Sequence, residues 1–250
     1  MYQIETVNWE ALSHLSFVYE ENCWQSCEAD CCQSELPEAN FKFIKNPGTW
    51  IFYMPEEYKY YKSLGKVPPL NKGGSNLREV HIPLDNGLKI GGLWCHCEYE
   101  GLCRKVIEPP LLCKLVPFLP VMNIDGKLDN IAMINFLDIT ISAMGFDKRC
   151  SVLDKKDKYL ALWRNNPDLV EPLGHPYILF HLMAANQLIE NYKTTLLNHP
   201  VLAQKSGTAF WKAWEIEYVT GRLFDKRKAA STLQNLHERF TKRYAGFCLS

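Results

Sequence analysis

Eight of the ten cysteines in this 250-residue chain fall into two short runs, and they are the residues best placed to do chemistry. The first run is Cys23, Cys27, Cys31 and Cys32, spaced C-x3-C-x3-C-C. The second is Cys95, Cys97, Cys103 and Cys113, four thiols within nineteen residues. A thiolate is a soft metal ligand and a nucleophile, so in a chain without secretory features this clustering points to metal coordination before disulfides. Cysteine-only ligation suits tetrahedral zinc and an iron–sulfur cluster alike, and the spacing does not separate them. Eight thiols exceed the four that either site needs. The surplus allows one site with spare thiols, two separate sites, or a site beside redox-active cysteines.

On one continuous helix Cys23, Cys27 and Cys31 would share a face but spread over roughly 12 Å of axis, too far for one tetrahedral ion. A loop or broken helix is required if all three bind together; otherwise only some of them are ligands. His96 lies between Cys95 and Cys97, where an extended strand points neighbours to opposite sides, so it ranks below either cysteine as a ligand. Cys150 and Cys248 stand alone and read as small buried hydrophobes. His81, His175, His181, His199 and His237 read as packing or surface residues.

The two runs together resemble the YkgJ-like cysteine-cluster family, described as zinc- or iron-chelating. That family pairs an N-terminal C-x2-C-x2-C-C with a later Gly-x-Cys, nine residues, and Cys-Arg-x-aromatic-Pro-Phe. Here Gly101 precedes Cys103 by two, nine residues separate Cys103 from Cys113, Pro110 takes the proline position, and Lys114, Pro117 and Phe118 follow in register. The segment Gly48 to Gly65 also resembles the family's strand followed by an acidic-started helix. The chain departs from the pattern in its x3 spacings, in Pro109 where the family has Arg, and in Val116 for the aromatic. The resemblance covers about residues 20 to 120 and implies a metal or iron–sulfur site. The family includes a flagellin lysine methylase, but no residues here identify a methyl-donor site.

Several elements must position these thiols. Asn8 reads as the cap of a short helix carrying Trp9, Leu12 and Leu15. Residues 41–54, FKFIKNPGTWIFYM, alternate around Asn46-Pro47-Gly48 and read as a hairpin. Pro55-Glu56-Glu57 starts a helix, with proline at its first position and acids in its first turn. Asp85-Asn86-Gly87 between apolar runs is a strong hairpin signal, and that hairpin delivers Trp94 and the second cysteine run. After Phe118 another Asp-Gly turn precedes an apolar segment that suits helix or strand. Helical periodicity dominates beyond Cys150: Pro176 to Leu197, Ser206 to Val219, and about Asp225 to Tyr244. Trp211, Trp214 and Tyr218 at i, i+3, i+7 read as core.

The expected fold is therefore α+β: an irregular cysteine-tied metal-binding unit with short antiparallel hairpins, residues 1–120, packed on a mostly helical region, residues 121–250. Lys plus Arg equals Asp plus Glu at 28 each, so no global field would draw the protein to nucleic acid or an anionic membrane. The basic run Arg222, Lys226, Arg227 and Lys228 reads as a solvated helix face. No stretch is long and apolar enough to span a bilayer, the N-terminus lacks a signal-peptide pattern, and a cytoplasmic location follows as the expectation. Walker, G-x-S-x-G, G-x-G-x-x-G and H-E-x-x-H motifs are absent. The cofactor expectation is an iron–sulfur cluster, [4Fe–4S] first, or zinc. The functional expectation is redox or accessory service in modifying a protein or metabolite, with a structural zinc module that binds a protein partner as the alternative.

Overall fold

The computed structural model describes residues 6–18, 41–43, 49–69, 76–84, 87–97, 107–146, 150–247 and 249. Helix α1 spans Trp9–His14, capped as expected by the Asn8 side chain, which accepts from Ala11 N at 2.9 Å. Strand β1, Thr49–Tyr53, runs into α2, Pro55–Ser63, which has proline at its start and Glu56 and Glu57 in its first turn. Strands β2, Leu77–Pro83, and β3, Lys89–Cys97, form the hairpin that the Asn-Gly signal predicts. Gly87 takes φ +81° at its turn, a conformation that L side chains avoid. Asp85 and Asn86 lie outside the described residues.

Strand β3 is the middle of a three-stranded antiparallel sheet, order β1-β3-β2. Its Gly91 and Gly92 let both neighbours approach closely. A Cβ on Gly92 would stand 2.4 Å from the Phe52 ring, and one on Gly91 only 1.9 Å from the Val80 carbonyl. The expected pairing of β1 with residues 41–44 is corrected here: Phe41–Phe43 form no strand, and β1 pairs with β3. Phe41 is drawn instead into the aromatic core, 5.7 Å from Trp214 and 6.3 Å from Trp211 between ring centres. The amides of Lys42 and Phe43 donate to the Glu215 carboxylate at 3.0 and 2.5 Å. The Asn46-Pro47-Gly48 turn lies outside the described residues.

A short helix α3, Leu111–Leu115, follows Pro109-Pro110, and a cis Val116–Pro117 peptide leads into β4, Phe118–Met122. Strand β4 pairs antiparallel with β5, Leu128–Met133, across the Asp125-Gly126 turn. The ambiguous apolar segment after it is strand and then helix: α4 spans Phe136–Ala143, capped by Asn135. The remainder is helical, with α5 Lys156–Arg164, α6 Pro167–Val170, α7 Pro176–Leu197, α8 Gly207–Val219 and α9 Lys226–Arg243.

Helix α7 is central because its first turns are apolar all round. Tyr177, Ile178, Leu179, Phe180, His181 and Leu182 are all buried in succession. By contrast α9 is a one-sided helix, burying Ala229, Leu233, Leu236, His237 and Phe240 while Lys226, Arg227 and Lys228 stay exposed. Asn191 of α7 braces the α9 cap, donating to the Asp225 carbonyl at 3.1 Å and accepting from its amide at 3.0 Å. One apolar core runs from Trp9 to Phe247 and holds residues from both sides of residue 120, among them the expected core residues Trp211 and Trp214. The chain is thus α+β, with small antiparallel sheets, two of them among the described residues, set against helices.

Candidate metal centre

Side chains alternate along β3, and over its last four residues burial follows them: Cys95 and Cys97 are buried on one face, while Trp94 and His96 are only partly covered on the other. Cys95 sits opposite Ile51 in register, and Trp94 and His96 sit opposite Phe52 and Trp50. The ring pairs Trp50–His96 at 5.4 Å and Phe52–Trp94 at 6.0 Å close that second face. His96 therefore lies on the side of β3 away from the two thiols, as strand geometry leads one to expect.

Beneath the cysteine face lies a small apolar cluster, separate from the main core. Ile51, Tyr53, Tyr58, Tyr61 and Ile107 are buried in it with Cys95 and Cys97, and Cys113 of α3 packs against it half-buried. Three thiols that are up to eighteen residues apart in sequence thus share one small neighbourhood. Tyr53 marks its centre. Its ring is fully buried, and its hydroxyl donates to the Glu108 carbonyl at 3.2 Å. Burial first, then Cys113, Glu57, Cys95 and Cys97, all disfavour its phenolate.

Burial, reinforced by Cys97, pushes the Cys95 thiol up to about 11. A buried thiol of this kind is a poor nucleophile at neutral pH, and a bound cation reverses the balance by stabilising the thiolate.

Three charged residues border the thiols. Glu57 is almost wholly buried and accepts from Met54 N at 3.2 Å and from Leu111 N at 2.6 Å, so one carboxylate caps its own helix and the helix that carries Cys113. Burial raises its pKa to about 7 even though both amides and Lys114 favour the ionised form. Lys114, also buried, donates to the Ser13 carbonyl at 2.7 Å and pairs with Glu108 at 2.6 Å. Sequence reading noted Glu57 as a first-turn acid and Lys114 as a motif residue but missed that both are buried beside the thiols. The signal for Glu57 was available: Met54, Glu57 and Tyr61 are spaced i, i+3, i+7, which places the acid on the apolar face of α2.

Of the eight expected ligands, the described residues include Cys95, Cys97 and Cys113, which converge. Cys23, Cys27, Cys31, Cys32 and Cys103 lie outside them. Among the described residues no three His, Cys, Asp or Glu side chains are grouped tightly enough to hold a metal ion. In donor chemistry, though not in grouping, these residues suit a thiophilic metal: two buried thiols lie on one strand face, and a third is carried on a helix whose N-terminus is pinned by Glu57. Cys150 packs against the main core, apart from this cluster, as a lone cysteine does; Cys248 lies outside the described residues.

The histidines serve other ends. His175 caps α7, accepting from Tyr177 N at 3.2 Å, and His181 and His237 are buried in the helical half. His81 pairs with Glu79 at 3.2 Å, and His199 with Glu217 at 3.4 Å. Arg222 of the basic run is engaged by the same Glu217 at 2.6 and 2.9 Å.

Fold and site together describe an α+β protein with a buried thiol cluster under a three-stranded sheet. No family model matches the chain, and no curated protein or solved structure matches it either. Among the described residues no helix is long and apolar enough to cross a membrane.

Proposed function

We propose that the protein is a cytoplasmic, cysteine-ligated metal protein in which thiols of the Cys23–Cys32 run and of the Cys95–Cys113 run hold an iron–sulfur cluster, [4Fe–4S]. The observation that carries this reading is the convergence of Cys95, Cys97 and Cys113 on the small cluster around Tyr53. The likeness to the YkgJ-like pattern belongs to the same reading, with Cys103 and Cys31 or Cys32 supplying the further ligands. Such a cluster supplies one-electron chemistry or holds a substrate in a step that modifies a protein or metabolite. The chain's own residues prepare the place. β3 directs two thiols inward, Glu57 fixes the start of the Cys113 helix, and Lys114 ties that helix to the end of α1.

A second reading is favoured by the burial of Cys95 and Cys97 within so small an apolar cluster: a structural zinc ion that ties this unit together while the helical half meets a protein partner. Anaerobic purification followed by absorption spectroscopy and elemental analysis separates the two. A brown protein with broad visible absorption and about four iron atoms per chain supports the cluster. A colourless protein with stoichiometric zinc supports the second reading. Protein purified without either metal, and unable to take up either one, overturns both.

A further inference from the structure

A groove of about 330 Å³ opens beside the start of α2, between the β2–β3 hairpin and the start of α7. Its walls include Pro55, Leu88 and Ile90, and its polar lining includes His81, Tyr177 and His181, with the exposed Lys89 at its edge. Tyr177 and His181 are both more than nine-tenths buried, with ring centres 4.5 Å apart. Each has one hydrogen-bonding position spent and one left over. The Tyr177 hydroxyl accepts from Glu56 N at 3.3 Å, and among the described residues its own O–H meets no acceptor. His181 Nδ1 donates to the Tyr177 carbonyl at 2.8 Å, which fixes the tautomer and leaves Nε2 as an acceptor with no donor among the described residues. Burial lowers the His181 pKa to about 4, so the ring is neutral near pH 7 and accepts without drawing an anion.

We propose that this groove binds a small, flat, uncharged molecule through an amide edge, the ligand's N–H donating to His181 Nε2 and its carbonyl accepting from the Tyr177 hydroxyl. The leftover donor and acceptor lie on adjacent rings, and an amide offers their complement on adjacent atoms. Apolar walls with a few convergent polar groups are what small-molecule sites share, and this volume lies at the small end of their range. At the Tyr177–His181 pair a carboxylate fits poorly, because it would set a charged acceptor against the His181 lone pair; a carboxylate drawn to Lys89 would sit at the edge, away from that pair. The inference is independent of any metal at the cysteines.

The test titrates the full chain with benzamide and with methyl benzoate, a near-isostere that keeps the carbonyl and lacks the N–H, and follows both by NMR. Benzamide is expected to bind about tenfold more tightly, since methyl benzoate leaves His181 Nε2 unpaired. His181→Phe is expected to abolish the difference, and Tyr177→Phe to weaken benzamide roughly tenfold. Because the ligand pair is compared on the unaltered protein, the result does not depend on either variant folding. Equal affinities for the two probes, no binding of either, or an undiminished preference in folded His181→Phe overturns the proposal.

Discussion

The main core, from Trp9 to Phe247, fills its space largely with Leu, Ile, Phe and Trp, and several of its buried polar groups bond one another. Trp163 Nε1 donates to the Phe17 carbonyl at 2.9 Å, Trp214 Nε1 donates to the Tyr192 hydroxyl at 2.9 Å, and that hydroxyl also bonds Thr140. The cluster beneath β3 is of another kind: seven buried residues, of which three are tyrosines and two are cysteines. Fully burying a large aliphatic or aromatic side chain contributes about 1.5–3 kcal/mol, against about 1–2 kcal/mol per residue for ordering the backbone. A core rich in such side chains sustains itself. Seven residues, five of them carrying a hydroxyl or a thiol, gain far less, so a bound metal would supply much of what holds them in place.

That contrast is sharpened first in the main core, where the largest loss is expected. Trp163→Ala removes a fully buried ring and its hydrogen bond to Phe17, which ties residues before the first cysteine run to α5. It should cost about 3–5 kcal/mol in urea unfolding, by the same amount with and without a chelator. A loss that disappears in chelated protein would show that the two regions are not separate in their energetics.

Glu57 gives the next effect, and its direction follows from burial. Its pKa is raised from 4.5 to about 7 in the folded chain, so the folded state binds the proton more tightly than the unfolded one. The stability it contributes is full below about pH 4.5 and is lost as pH rises toward about 7, a difference of roughly 3 kcal/mol. Glu57→Gln should flatten that part of the stability-against-pH curve. An unchanged slope would place the titration on another group.

Smaller again, in metal-free protein, is the effect of Cys95→Ala. In chelated protein it removes one buried sulfur and should cost about 1 kcal/mol. With metal supplied about a hundredfold above its dissociation constant, wild type gains roughly 3 kcal/mol that the variant should lack. Thermal melts of both proteins, with and without metal, measure the gap. An equal gain in both would break the link between this cluster and a metal.

Much of the scaffold was legible from local signals. Asn8, Pro55, the Asn86-Gly87 pair and the apolar repeat from Pro176 each act within a few residues, and α1, α2, the β2–β3 hairpin and α7 follow from them. The strand facing β1 was not legible, because Phe41 is taken by two tryptophans and the next two amides by Glu215, all about 170 residues away. The segment after the Asp125-Gly126 turn stayed ambiguous because strand β5 and helix α4 adjoin within one apolar stretch. In the candidate site the alternation that hides Cys95 and Cys97 and turns His96 away could be read from strand periodicity. The inward face of Glu57 shows in the helical spacing of α2, but its meeting with the Cys113 helix and the burial of Lys114 do not, since they depend on α2, α3 and the end of α1 meeting in space.

The most direct test of the account compares the metal-to-protein ratio of anaerobically purified wild type, Cys113→Ser and Cys150→Ser. Cys113 packs against the thiol cluster and Cys150 against the main core. The account predicts that Cys113→Ser lowers the ratio and that Cys150→Ser leaves it at the wild-type value. A ratio unaltered in Cys113→Ser would contradict the assignment of these thiols to a metal.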